Sequence, residues 1–367
     1  MDESDRVGDQ LSHNPPARTF LGSVDALDEQ PVTSAFLECL PRIGLGPADV
    51  PAILAAERYS RRALAFARAQ LAELTEAEPA RATATFAFGS LGRLEASSES
   101  DLDLAFLYDS ERIDRPAAER QRARVIDRLA AAFDIPQKTF DQAIDLRMLT
   151  RNIGGRLDSN ETLTYRALLL TEGAWLAGGG RQMKHAVFRA YADAQISRGR
   201  FLASLGNDLH RYYRTLRTDY RHKVEELDKS WAIRVLKLRH SRKLWHLSNV
   251  ALQCWAVDAI DDDDSRDVAL ASRIGWPSLL RLFGALEHFD AAALAREPCL
   301  CFDRFLAALA DPEIRGELVG LAYEDRNQSR VYRELHENAG RLDAAAAAIV
   351  QVLFDRCRDF MVRFCIL

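Results

Sequence analysis

The chain has 367 residues, 48% hydrophobic and 28% charged, with a net charge of -5. That balance fits a soluble globular protein of one large or two ordinary domains and excludes a general nucleic-acid binder of strongly basic character. No uncharged apolar run is long enough to cross a bilayer, and the polar start MDESDRVGDQLSHNPPARTF lacks a signal-peptide core, so neither a membrane association nor a secretory leader is expected. Six scattered cysteines without a CxxC pair fit a reduced, cytoplasmic setting. In chain order, residues 1–30, with Pro15-Pro16, read as a flexible tail. Residues 48–78 carry helical periodicity up to Pro79. Strands are expected over 82–88 and 102–108, a helix over 116–133, and a further strand over 142–149. From about 163 onward the pattern is helical, punctuated by Gly178-Gly179-Gly180, with the acidic run 261–264 as a solvated loop. The reading is an α+β fold: a small sheet domain with preceding helices over 31–160 and a larger all-α part over 161–367. Strands this close in sequence, without regular alternation with helices, argue against a doubly wound sheet.

The segment 86–109, FAFGSLGRLEASSESDLDLAFLYD, carries the chemistry. Alternate residues of a strand share a face, so Asp101 and Asp103 present two carboxylates together while Leu102 and Leu104 turn to the core. Two such charges repel unless a cation neutralises them. Mg²⁺ suits one or two carboxylates plus substrate phosphates, and Mn²⁺ is its natural substitute. Upstream, Gly89 allows a sharp turn beside a phosphate, and Ser90 offers a hydroxyl and an N–H to a phosphate oxygen. A helix beginning over 91–96 would add its N-terminal partial charge. Arg93 has two open readings, a phosphate contact or a structural partner of Glu95 or Glu99.

GSLGRLEASSESDLDLAFLYD resembles the signature of the DNA polymerase β-type nucleotidyltransferase superfamily. Within it, Gly92, Arg93 and Glu95, then Ser100, Asp101, Asp103 and Leu104, are most similar to the glutamine synthetase adenylyltransferase and PII uridylyltransferase (DUF294-like) branch. The resemblance implies a polymerase β-like sheet domain, a nucleoside triphosphate substrate, and a divalent metal held by Asp101, Asp103 and a third carboxylate. Asp145, in Ile144-Asp145-Leu146-Arg147, is the candidate for that third group, with Asp141 the alternative; a plain ion pair of Asp145 with Arg147 is the competing reading. Residues 162–178 resemble the helix that follows the catalytic strands. Residues 229–245 stand where the relatives have an Ile-Lys…Gly-Gly motif; Lys237 matches the lysine, and Ser241-Arg242 replace the glycines.

Arg234, Lys237 and Ser241 share one face of that helix, either a solvated basic face or a triphosphate contact across a cleft. The stretch 210–222, HRYYRTLRTDYRH, reads as an RNA contact or as a helix with Tyr212 and Leu216 packing inward. The implied activity is a metal-dependent transfer of a nucleoside monophosphate, AMP from ATP in the nearest kin, to a hydroxyl, with release of pyrophosphate. A protein side chain is the acceptor implied by the resemblance; a small molecule, an RNA end or a second nucleotide are alternatives. A silent nucleotide-binding signalling module is the competing class.

Overall fold

A computed structural model describes residues 32–75, 82–136, 141–194, 203–225 and 230–366. The tail expected over 1–30 lies outside them. After α1 (Val32–Cys39), α2 (Pro51–Leu71) starts with proline at its first position, where the missing N–H costs nothing. Its residues Ile53, Ala56, Leu64, Ala67 and Leu71 form the buried stripe that the helical period predicts.

Strand β1 (Thr83–Phe88) is buried throughout. It is followed by the short helix α3 (Gly89–Gly92), strand β2 (Asp103–Tyr108) and helix α4 (Arg115–Ala130). Asp114 caps α4 by accepting from the Ala117 N–H at 2.8 Å. The two strands and the helix thus lie close to where the periodicity places them. The third strand does not. Only Ile144–Asp145 (β3) is extended, and the chain turns at once into α5 (Leu146–Thr150). The cause is local: Asp145 accepts from the Arg147 N–H at 3.0 Å and caps the helix, ending the strand.

A fourth strand was not expected. The helix α6 (Asn160–Glu172) stops six residues short of the anticipated end, and Ala174–Gly178 forms β4. The sheet order is β3-β2-β1-β4. Strands β2 and β4 both run antiparallel to β1, and β3 runs parallel to β2.

The remaining helices are α7 (Gly180–Asp193), α8 (Ala203–Glu225), α9 (Trp231–Lys237), α10 (Lys243–Ala259), α11 (Asp263–Arg273), α12 (Ser278–His288), α13 (Arg296–Ala310), α14 (Pro312–Gly320) and α15 (Arg330–Arg356). The acidic run over 261–264 is not a loop. Asp262 accepts from the Ser265 N–H, and Asp263 begins α11. All six cysteines are free thiols. No described helix is long and apolar enough to cross a membrane.

Two cores meet at the sheet. Ala84, Phe86 and Phe88 of β1 and Ala105 and Leu107 of β2 face the large core that the C-terminal helices fill. Ala87, Leu102, Leu104, Phe106 and Tyr108 face a smaller core shared with α2 and α4. By the two-residue period, Asp103 lies on the face of Ala105 and Leu107, toward the helical part.

Candidate active site

The site is built where β1 ends. Phe88 pairs with Asp103, so Gly89 leaves the sheet directly beside the Asp103 carboxylate. Gly89 has φ +67°, and a Cβ there would lie 2.3 Å from Asp103 Oδ2. Both the backbone angle and the space therefore demand glycine. The helix starts at Gly89, two residues earlier than expected, and is over by Gly92. Gly92 is equally constrained, since a Cβ would come within 2.0 Å of the Glu172 carbonyl oxygen. That contact seats the turn on the end of α6. From the other side, Ser60 of α2 accepts the Ala96 N–H at 3.0 Å.

Asp101 is exposed, and Asp103 is half-buried at the mouth of β2. Burial raises the Asp103 pKa first, the neighbouring charges of Asp101 and Glu172 add to it, and Arg242 and Arg93 oppose; the result is about 6. Leu102 and Leu104 are buried, as the alternation requires.

Behind the pair lies a charged network that is fully partnered. Arg93 donates from Nε to Glu95 at 2.9 Å and from Nη1 to Glu172 at 2.6 Å. Glu172, with a side chain 1% exposed, also accepts from Arg242 at 3.0 Å. Ser241 donates to Glu95 at 2.6 Å. Burial alone would penalise the charge on Glu172; Arg242 and Arg93 outweigh it and hold the carboxyl below its usual range. Burial likewise works against the Arg93 cation, and Glu172 and Glu95 more than compensate. Tyr212 of α8 is buried here, with the Arg242 guanidinium 6.0 Å from its ring centre and Trp245 edge-on at 5.2 Å.

The basic helix reaches the site through an irregularity. Between α9 and α10, residues 238–242 form a π-helical turn, a feature that often marks a functional position. The basic side chains around it diverge. Ser241 and Arg242 meet Glu95 and Glu172, whereas Arg239 and Lys243 both bind Asp343 of α15. His240 is fully buried between them; its Nδ1–H donates to the Leu236 carbonyl, its Nε2 accepts from Asn338, and its ring stacks on Phe305 at 4.6 Å. Lys237 is open to solvent, yet protein surrounds it closely enough that desolvation and the charges of Arg315, Arg93 and Arg234 lower its pKa to about 8, against the pull of Asp101. Ser90, Asp101, Asp103 and Lys237 therefore converge from two parts of the chain. None of their side chains has a hydrogen bond or ion pair to a described residue. Unpaired polar groups set over a partnered charge network make this the candidate ligand site.

Residues 53–137 match the family model described as "Putative nucleotidyltransferase DUF294". This segment is similar to the DUF294 nucleotidyltransferases. No curated protein matches the chain. The nucleotidyltransferase-like segment contains Gly89, Ser90, Arg93, Asp101 and Asp103, while Asp145 and Lys237 lie beyond it.

The structure does not bring Asp145 to the aspartate pair. Asp145 pairs with Tyr108, five positions along β2 from Asp103, or about 16 Å at the usual rise per residue. Its partner Tyr108 faces the smaller core, so Asp145 also stands on the opposite side of the sheet from Asp103. Asp141, the alternative, acts on Tyr165 of α6. Among the described residues no group of three or more His, Cys, Asp or Glu side chains could hold a metal. The two carboxylates still fit one, because they are unpaired, the charge of Asp101 adds to the raised pKa of Asp103, and Gly89 keeps open the space against Asp103 Oδ2. Such a site suits a hard cation that draws its remaining ligands from substrate phosphates and water. Glu172 escaped the sequence reading. The available signal was a glutamate closing the apolar run ALLLTE, a buried charge in need of partners.

Proposed function

We propose that the protein transfers a nucleoside monophosphate from a nucleoside triphosphate to a hydroxyl acceptor. The observation that carries the reading is the unpaired Asp101–Asp103 couple beside the Gly89-Ser90 turn, inside a segment similar to nucleotidyltransferases and with Lys237 within electrostatic reach of Asp101. Asp101 and Asp103 would hold the divalent ion, Mg²⁺ or Mn²⁺, which when bound neutralises phosphate charge and polarises the α-phosphorus. Ser90 donates its hydroxyl to a phosphate oxygen, and Lys237 supplies a positive charge from the opposite wall. The acceptor oxygen forms its bond to the α-phosphorus as the bond to the bridging oxygen breaks, and pyrophosphate leaves with that electron pair. Asp103, on the side of the sheet toward the helical part, would take the acceptor proton. Arg93 acts by positioning: its guanidinium donates to Glu95 and Glu172, and it holds the turn rather than the phosphate. ATP as donor and a protein hydroxyl as acceptor complete the reading; both rest on the resemblance to adenylyltransferases.

A nucleotide-binding module without transfer is the second reading. It is favoured by the register of β3, which sets Asp145 against Tyr108 and away from the aspartate pair. One experiment separates the two. The protein and its Asp101→Asn/Asp103→Asn variant are incubated with each α-labelled nucleoside triphosphate, Mg²⁺ or Mn²⁺, and cell extract as the acceptor source. Label transfer or pyrophosphate release by the wild type alone supports the reaction. Equal signal from both proteins sinks it, and nucleotide binding without either product leaves the silent module.

A further inference from the structure

Lys237 is not the only positive group on its wall of the cleft. Helix α14 is fastened to the start of α9 by two bonds: the Ser230 hydroxyl donates to the Leu318 carbonyl at 2.9 Å, and the Trp231 indole donates to the Leu321 carbonyl at 2.6 Å. Leu318 is fully buried at this junction. Arg315 precedes it by three residues and so shares its side of α14. Lys237 follows Ser230 by about two turns on the face that also carries Arg234. The docking sets Arg315 beside Lys237, and of all charged residues Arg315 acts most strongly on that ammonium.

Arg315 is half-buried, and its guanidinium has no hydrogen bond or ion pair to a described residue. Two acids of its own helix region are engaged elsewhere. Asp311 accepts from the N–H groups of Glu313 and Ile314, and Glu317 accepts from Ser329. Two adjacent cations without a counter-charge repel each other, and an anion that touches both relieves the repulsion. Asp101, the carboxylate that acts on Lys237, is committed to the metal in the reaction above. What remains is an extended, multiply charged anion.

We propose that Arg315 is a substrate-binding residue that, with Lys237, grips the diphosphate portion of the nucleoside triphosphate, the part that leaves as pyrophosphate. A planar guanidinium matches two phosphate oxygens at once, and the lysine adds a point charge beside it. This assignment rests on the nucleotidyl-transfer reading, but it concerns a helix far outside the segment similar to DUF294 proteins.

The test uses calorimetry on the full chain with Mg²⁺. Inorganic pyrophosphate and nucleoside monophosphate are titrated separately into the wild type, Arg315→Gln and Arg315→Lys, and KM and kcat are measured for whichever nucleoside triphosphate is turned over. Arg315→Gln is expected to weaken pyrophosphate about tenfold to a hundredfold, the range of one charge-assisted bidentate contact, and to leave the monophosphate unchanged. Arg315→Lys recovers part of the loss, and KM rises more than kcat falls. Pyrophosphate binding that is equal in wild type and Arg315→Gln overturns the proposal, as does a loss that is equal for the monophosphate, or a wild type that binds no pyrophosphate. Arg315-dependent pyrophosphate binding without transfer keeps this site and removes the reaction; transfer with an unaltered KM in Arg315→Gln does the reverse.

Discussion

Ser241 donates its hydroxyl to Glu95 at 2.6 Å, joining two residues 146 positions apart. The acceptor follows the Gly89–Gly92 turn, and the donor sits in the π-helical turn of the C-terminal part. With Arg242 on Glu172 and Trp245 on Thr171, this bond fixes the basic helix against the turn and α6, which brings Lys237 within electrostatic reach of Asp101.

Glu172 is the keystone of that junction. Glu172→Ala removes the shared partner of two guanidinium groups, one of them almost fully buried. The expected loss is about 3–5 kcal/mol, the cost of leaving buried charge unpaired. Urea unfolding of the variant checks it, and a loss below about 1 kcal/mol would show that water replaces the carboxylate.

Gly89→Ala tests the turn. The substitution places a side chain at φ +67° and drives a Cβ into the Asp103 carboxylate. Backbone strain of about 1–3 kcal/mol is expected in thermal or urea unfolding. Binding of Mn²⁺ with nucleotide, followed by electron paramagnetic resonance, should weaken along with it, because Asp103 is the group displaced.

Asp103 and Asp145 should behave as differently as their positions on the sheet. Asp103→Asn is expected to abolish metal-dependent nucleotide binding and transfer. Asp145→Asn, about 16 Å away on the opposite face, should change either by about twofold at most, the effect of a substitution remote from the site. A loss of transfer in Asp145→Asn comparable to that in Asp103→Asn would return Asp145 to the catalytic group.

Stability should depend on pH through His240. Burial is the main cause that lowers its pKa from 6.5 to about 4. The unfolded chain therefore takes up the proton first, and folded stability is full above about pH 6.5 and falls as the pH drops toward 4. The shift corresponds to about 3 kcal/mol at the acid end. Urea midpoints between pH 7 and 4.5 measure the slope, and His240→Gln should flatten it. His210 and His246, lowered to about 4 and about 3 by burial, steepen the same limb.

The local chemistry was legible in the chain because its rules act between neighbouring residues. Period-two alternation put Leu102 and Leu104 into a core and left Asp103 on the other face; the glycine at 89 announced a sharp turn, which the structure sets against the Asp103 carboxylate. Helical periodicity placed α2 and α4 to within a few residues at their starts. Strand register and long-range pairing obey no such local rule. The partner of Asp145 on β2, which moves it away from the aspartate pair, follows from how two strands slide against each other. The bonds of Glu172 span 79 and 70 positions, and Arg315 acts on Lys237 only because α14 docks on α9. The sequence by itself determined where two carboxylates and a phosphate-sized turn would meet, since a strand and a glycine suffice for that. Which charges surround them was decided by tertiary packing, because a buried ion pair forms only when the fold brings together partners that the chain keeps far apart.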